Sequence, residues 1–336
     1  MVAHGAGPEA TRTGHGVMSD LLQVTGLTIE AMNNTGETRR IVDGLSFTIG
    51  PGEILALVGE SGSGKSMSAL SVIGLLPQGV RAVEGSIRLR GRELLGMSPH
   101  EWRTMRGAEV GMIFQEPMTA LNPVFTIGEQ IAEVLRHHRG LDRREAMEAS
   151  VRLLQRVAIP EPERCARSCP HELSGGMRQR VVAAMAIAAG PSLLLADEPT
   201  TALDMRSQKA ILDIVEGFAR EDGLGVLLIS HDLALVEERA DHVCVLYEGH
   251  VCETGPVELV TSDPRHPYTR GLLACTPRLS GPGGRLPTIE DVVGDPSSES
   301  IETDGGRCKA WWPGLPGSHR MHSIGPDRFV GVLQEG

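Results

Sequence analysis

A chain of 336 residues has room for one large domain with an appendage, or for two ordinary domains. Its hydrophobic content of 40% supports a buried core, but aromatics make up only 3%, so that core must be aliphatic and methionine-filled. A formal net charge of −11 speaks against a general nucleic-acid binder, and no apolar run reaches the ~18 residues that a membrane span needs. Val181 to Ala189 comes nearest, so any membrane contact is expected to be peripheral. Six cysteines, at 165, 169, 244, 252, 275 and 308, include no C-x-x-C pair. That argues against a zinc ribbon or a dithiol motif and predicts reduced thiols.

Residues 1–19 are Gly/His/Thr-rich, lack the apolar stretch of a signal peptide and read as a disordered tail. Patterned sequence begins only after Met18, which makes Met18 a second candidate start. Leu21 to Ile29 reads as a strand, Asn33-Asn34-Thr35-Gly36 as a turn, and Leu45 to Ile49 as a second strand. After the Pro51-Gly52 turn, Ile54 to Val58 is a short apolar run of the kind that a buried parallel strand requires.

Gly59-Glu60-Ser61-Gly62-Ser63-Gly64-Lys65-Ser66 follows at once and fits G-x-x-x-x-G-K-[ST]. A helix is predicted from Met67 to Leu76, stopped near Pro77 and Gly79. A strand, a glycine turn and a helix start together make an anion site, because unpaired N–H groups and the helix dipole point into the loop. In such a loop Lys65 reaches the β- and γ-phosphates and the Ser66 hydroxyl ligates Mg²⁺.

Further on, Gly85 to Gly91 alternates as an edge strand, so an antiparallel patch is expected beside a parallel core. Val110 to Phe114 is a buried strand that delivers Gln115 to its end, where α/β folds place ligand contacts. Thr126-Ile127-Gly128-Glu129 fits a capping box, and Glu145 to Val157 is a second amphipathic helix. Residues about 118–172 therefore read as a helical insertion. Leu173-Ser174-Gly175-Gly176 opens an apolar helix running to Ala189; alone, Ser174 would be a plain N-cap, but beside a nucleotide fold it is a second phosphate site.

Leu193 to Ala196 is a buried strand ending in Asp197 and Glu198, and two carboxylates there are costly unless a cation waits for them. Asp197 fits a Mg²⁺-holding acid, and Glu198 can orient or deprotonate a water. Val226 to Ile229 is another buried strand, ending in Ser230-His231-Asp232; a lone histidine is more often structural than functional.

Residues 59–66, Gln115, Leu173 to Gly176, Leu194 to Glu198, Ala202-Leu203-Asp204 and His231 stand in one order. Together they resemble the ATP-binding cassette ATPases over about residues 20 to 262. Phe114 to Pro123 and His266-Pro267-Tyr268-Thr269-Arg270 are similar to ATPase subunits of oligopeptide and dipeptide importers, a pattern that nickel importers share. The resemblance implies an α/β fold: a P-loop NTPase core with an antiparallel β subdomain and a helical insertion. Residues 263–336 would form an extension of the importer type, irregular after Gly281.

The resemblance also implies ATP and Mg²⁺ as cofactors, with Gly59, Glu60, Ser61, Gly62, Ser63, Gly64, Lys65 and Ser66 on the nucleotide. Asp197, Ser66 and Gln115 would serve the metal, Glu198 would be the base and His231 the γ-phosphate sensor. Ser174, Gly175 and Gly176 would serve the partner's nucleotide across a head-to-tail pair, and Asp204 would also be nucleotide-binding. The implied partners are a second ATPase subunit, as a heterodimer, two transmembrane permease subunits and an extracytoplasmic solute-binding protein, at the cytoplasmic face of the membrane and without nucleic acid.

Three departures stand out. Ala31 or Met32 occupies the place of an adenine-stacking aromatic, Met177 stands where many cassettes carry Gln, and only Cys308 lies beyond Cys275, too few thiols for an iron–sulfur cluster. A soluble cassette of DNA maintenance, the other class, would insert long coiled coils or zinc modules between Lys65 and Ser174. Lys65 and Ser174 are 109 residues apart here, with neither sustained heptads nor C-x-x-C between them.

Overall fold

Runs that are apolar on both faces can be buried only in a sheet that is covered on both sides. In the computed structural model, which describes residues 20–33, 36–115, 120–200, 204–275, 288–295 and 298–334, such runs form the middle of the molecule. The tail at 1–19, half of the turn at 33–36 and the Ala202-Leu203 pair lie outside the described residues.

The chain opens with two long strands, β1 (Leu22–Met32) and β2 (Thr38–Ile49), and then enters β3 (Ile54–Val58) and α1 (Lys65–Val72). β4 (Val80–Leu89) and the two-residue β5 (Arg92–Glu93) precede α2 (Pro99–Met105) and β6 (Val110–Ile113). Helices follow: α3 (Ile127–Arg139), α4 (Arg143–Arg156), α5 (Pro162–Arg167) and α6 (Gly175–Ile187). Thr126 caps α3 with the reciprocal Glu129 bond that the sequence predicts, and Asp142 with Glu145 does the same for α4. β7 (Leu193–Asp197), α7 (Met205–Asp222), β8 (Gly225–Ser230), α8 (Leu233–Glu237), β9 (His242–Tyr247) and β10 (His250–Pro256) complete an alternating α/β run. Last come α9 (Val257–Ser262), α10 (Pro267–Ala274), α11 (Ile289–Val293), β11 (Ser300–Thr303), β12 (Gly306–Lys309), β13 (Ser318–Gly325) and β14 (Arg328–Gln334).

One sheet is antiparallel, in the order β2-β1-β4-β5; β4 is thus covered by β5 at Arg88 and Leu89, where an edge had been expected. The other runs β13-β14-β10-β9-β3-β8-β7-β6, parallel from β9 to β6 and antiparallel beyond. Because successive side chains alternate across a strand, β3 feeds two cores. Ile54, Ala56 and Val58 join the helical core, whereas Leu55 and Leu57 pack with the antiparallel sheet.

The α/β class, the antiparallel sheet and the helices after β6 agree with the sequence reading. The stretch after Gly281 departs from it. Its residues 298–334 carry β11 to β14, and β13 and β14 extend the central sheet. The strands of this tail are separated by Gly- and Pro-rich turns, which masked their pattern. All six cysteines are free.

Candidate functional site

β3 ends at Val58, and the next residue is pressed against β9: a Cβ on Gly59 would lie 2.1 Å from the Leu246 carbonyl oxygen. Gly64, at φ +102°, is just as constrained, since a Cβ there would meet Val42 at 2.7 Å and the Ile41 carbonyl at 2.9 Å. Only glycine can turn the chain at these two points. Between them Glu60, Ser61 and Gly62 are exposed and Ser63 is buried, and Lys65, just after, is buried too. α1 begins at Lys65, two residues earlier than the apolar pattern suggests, so the ammonium sits on its first turn.

Lys65 Nζ donates to the carbonyls of Gly59 at 2.8 Å and Glu60 at 2.7 Å. Burial pushes its pKa down, against the pull of Glu198, Asp197 and Glu60. Across the loop the Ser66 hydroxyl donates to Asp197 Oδ1 at 3.0 Å. Burial pushes the Asp197 carboxyl up, opposed by that Ser66 bond. Both charges are only 5% exposed, an arrangement that folding alone does not favour.

Glu198 follows at φ +45°, a left-handed backbone that L side chains rarely adopt, with its N–H on the Ile229 carbonyl at 3.1 Å. Two of the predicted residues meet its Oε2: Gln115 Nε2 and His231 Nδ1, each at 3.4 Å. Gln115 arrives from the end of β6 and His231 from the end of β8, so three neighbouring parallel strands each deliver one of them.

Ser174 caps α6 and accepts from the Met177 N–H. Asp204 caps α7, accepting from Arg206 N, Ser207 N and the Ser207 hydroxyl. The two caps are neighbours, because a Cβ on Gly176 would lie 2.8 Å from Ser207 Oγ. Ser174 and Gly175 are exposed, and no hydrogen bond among the described residues joins them to the loop at 59–66. The predicted residues thus fall into two groups, one around the loop and one around these caps.

The donors suit a nucleotide and a hard cation. The loop offers a desolvated ammonium and main-chain amides to phosphate, and Ser66 with Asp197 offers two adjacent oxygens to Mg²⁺. Among the described residues no group of three or more His, Cys, Asp or Glu suits a metal, so remaining oxygens would have to come from the phosphates and water.

One contact escaped the sequence reading. Glu60 N–H donates to the Tyr268 hydroxyl at 3.0 Å, across 208 residues of chain. Tyr268 stood out only through its His-Pro-Tyr segment, and nothing local to that segment signals which loop it reaches.

The profile of the family described as ABC transporter matches residues 42–201, spanning the loop, Asp197 and Glu198. A putative peptide import ATP-binding protein of Brucella melitensis is 50% identical over 264 residues, covering 75% of this chain and 78% of that protein. The chain belongs to the ABC transporter ATPases. A second profile, oligopeptide/dipeptide transporter C-terminal region, matches residues 252–309 of this cassette. A relative bearing the same description in Brucella abortus is 48% identical over 283 residues, with 80% of this chain and 84% of that protein covered. Among solved structures, a dimeric bacterial ABC transporter cassette superposes with a TM-score of 0.63 at 26% identity, over 70% of this chain and 98% of the other. A post-hydrolysis dimer of an ATP-binding cassette, bound to ADP and Pi, gives 0.62 at 26%, with the same coverage.

Proposed function

We propose that this ABC ATPase powers the import of peptides across the cytoplasmic membrane. It would work at the cytoplasmic face through two transmembrane permease subunits, supplied by an extracytoplasmic solute-binding protein and paired with a second, different ATPase subunit. The curated relatives named for peptide import and the match of residues 252–309 support the solute class. No helix among the described residues is long and apolar enough to cross a membrane, in keeping with separate permeases.

Lys65 and the amides of 60–66 would hold the β- and γ-phosphates, and Ser66, Asp197 and Gln115 would hold Mg²⁺. When bound, the cation would neutralise charge on the triphosphate. Glu198 accepts the proton of the attacking water, with Gln115 and His231 fixing its carboxylate and the γ-phosphate side of the site. Ser174, Gly175, Gly176 and Asp204 would face the nucleotide of the sister subunit.

The observation that carries the reading is the convergence of Gln115 and His231 on one oxygen of Glu198. Losing a positioned base typically costs about 10²–10⁴ in rate. Glu198→Gln should therefore bind ATP normally and turn over at least about a hundredfold slower in a steady-state ATPase assay. Near-normal turnover would remove Glu198 from the mechanism.

A further inference from the structure

The peptide unit joining Gly59 to Glu60 is gripped at both ends. Its N–H donates to the Tyr268 hydroxyl at 3.0 Å, and its carbonyl accepts from Lys65 Nζ at 2.8 Å. Lys65 Nζ also donates to the Glu60 carbonyl at 2.7 Å, and in serving a triphosphate it exchanges carbonyls for phosphate oxygens. Where the Gly59 carbonyl is the one given up, the Tyr268 hydroxyl is the grip that stays on that peptide.

Tyr268 is built to stay in place. It is fully buried, and its ring stacks on Tyr247 with centroids 4.3 Å apart and planes 23° from parallel. Its N–H donates to His266 Nδ1 at 3.1 Å, and His266 Nε2 lies 3.0 Å from the Trp311 carbonyl oxygen. The His266 N–H is fixed in turn by the buried Glu253 carboxylate at 3.0 Å. Burial pushes the Tyr268 phenol pKa up, so the hydroxyl stays neutral at every physiological pH. A chain of contacts thus runs from Trp311, in the C-terminal segment, to the first turn of the nucleotide loop.

We propose that Tyr268 is a positioning residue for ATP binding: its hydroxyl fixes the 59–60 peptide while Lys65 moves to phosphate, so the C-terminal segment sets nucleotide affinity. This rests on residues 59–66 being the ATP loop.

Tyr268→Phe in the full chain keeps the ring and its stacking and deletes only the hydroxyl that accepts from Glu60 N–H. Titration with a fluorescent ATP analogue and Mg²⁺ should show a Kd raised about fivefold to tenfold, as expected for one lost hydrogen bond. In the assembled transporter KM for ATP should rise by a similar factor with kcat within about twofold, the pattern of lost uniform binding. A Kd within about twofold of the parent, in a variant that still melts normally, overturns the proposal.

A second measurement needs no change at Tyr268. The chain has two tyrosines, so 3-fluorotyrosine labelling gives two ¹⁹F signals, which Tyr247→Phe assigns. The Tyr268 signal should shift with ATP and stay still with AMP, which lacks the β- and γ-phosphates that would draw Lys65 away. A signal unmoved by saturating ATP also overturns the proposal. A parent chain that binds no ATP at all would instead sink the reading of the loop.

Discussion

Asp197 is a carboxylate taken out of water with one hydroxyl donor and an ammonium that is itself drawn to main-chain carbonyls. Its folded pKa is raised, so folding favours the protonated form. The contribution of this group to stability is therefore present below the ordinary carboxylate range and is lost as pH rises through its elevated folded value. Asp197→Asn should melt about 1–3 °C higher than the parent near neutral pH without nucleotide, and its stability should fall less between acid and neutral pH. The same variant should lose Mg²⁺-dependent ATPase activity. A parent and variant with superimposable melting curves across that pH range would show that Asp197 carries no such cost. Asp197 and Glu198 were legible as paired acids from the apolar run before them, and Lys65 from its glycine spacing. The left-handed backbone at Glu198 was not, because no glycine or asparagine marks it.

At the scale of elements, the buried parallel strands were legible because a run such as Leu193 to Ala196 has no polar face to show to solvent. The C-terminal strands were hidden by their context. Arg328 opens β14 and looks like a surface residue in sequence, yet it is only 6% exposed and its Nη2 lies 2.7 Å from the Glu253 carboxylate, itself fully buried. Glu253 also accepts from the N–H groups of Arg265 and His266. Removing one member of a buried ion pair typically costs about 3–5 kcal/mol. Arg328→Met should lower the unfolding free energy by about that much in a urea titration, and Glu253→Gln in the same chain should recover part of it. Equal stability of Arg328→Met and the parent would mean that water reaches Glu253 and that the pair holds nothing in place.

At the scale of the whole molecule, one chain carries the loop at 59–66 and an exposed Ser174-Gly175 cap that no hydrogen bond among its described residues joins to that loop. If the cap serves a sister subunit, Ser174→Arg should leave ATP binding by the separate chain unchanged. It should also cut turnover of the assembled transporter by about 10²–10³, as losing a preorganised donor to the transition state does. Loss of binding in the separate chain would assign the cap to this chain's own fold instead. Pairing of this kind is implied only by the family resemblance, since nothing in the spacing of one chain says that its site needs another. The docking of β14 on β10 has its own consequence. A product clipped before Ser300 would bare a ladder of main-chain donors and acceptors on β10, a ready template for strand-to-strand aggregation between copies. Proteolysis in that region should therefore yield turbid, thioflavin-positive material in place of a smaller working ATPase.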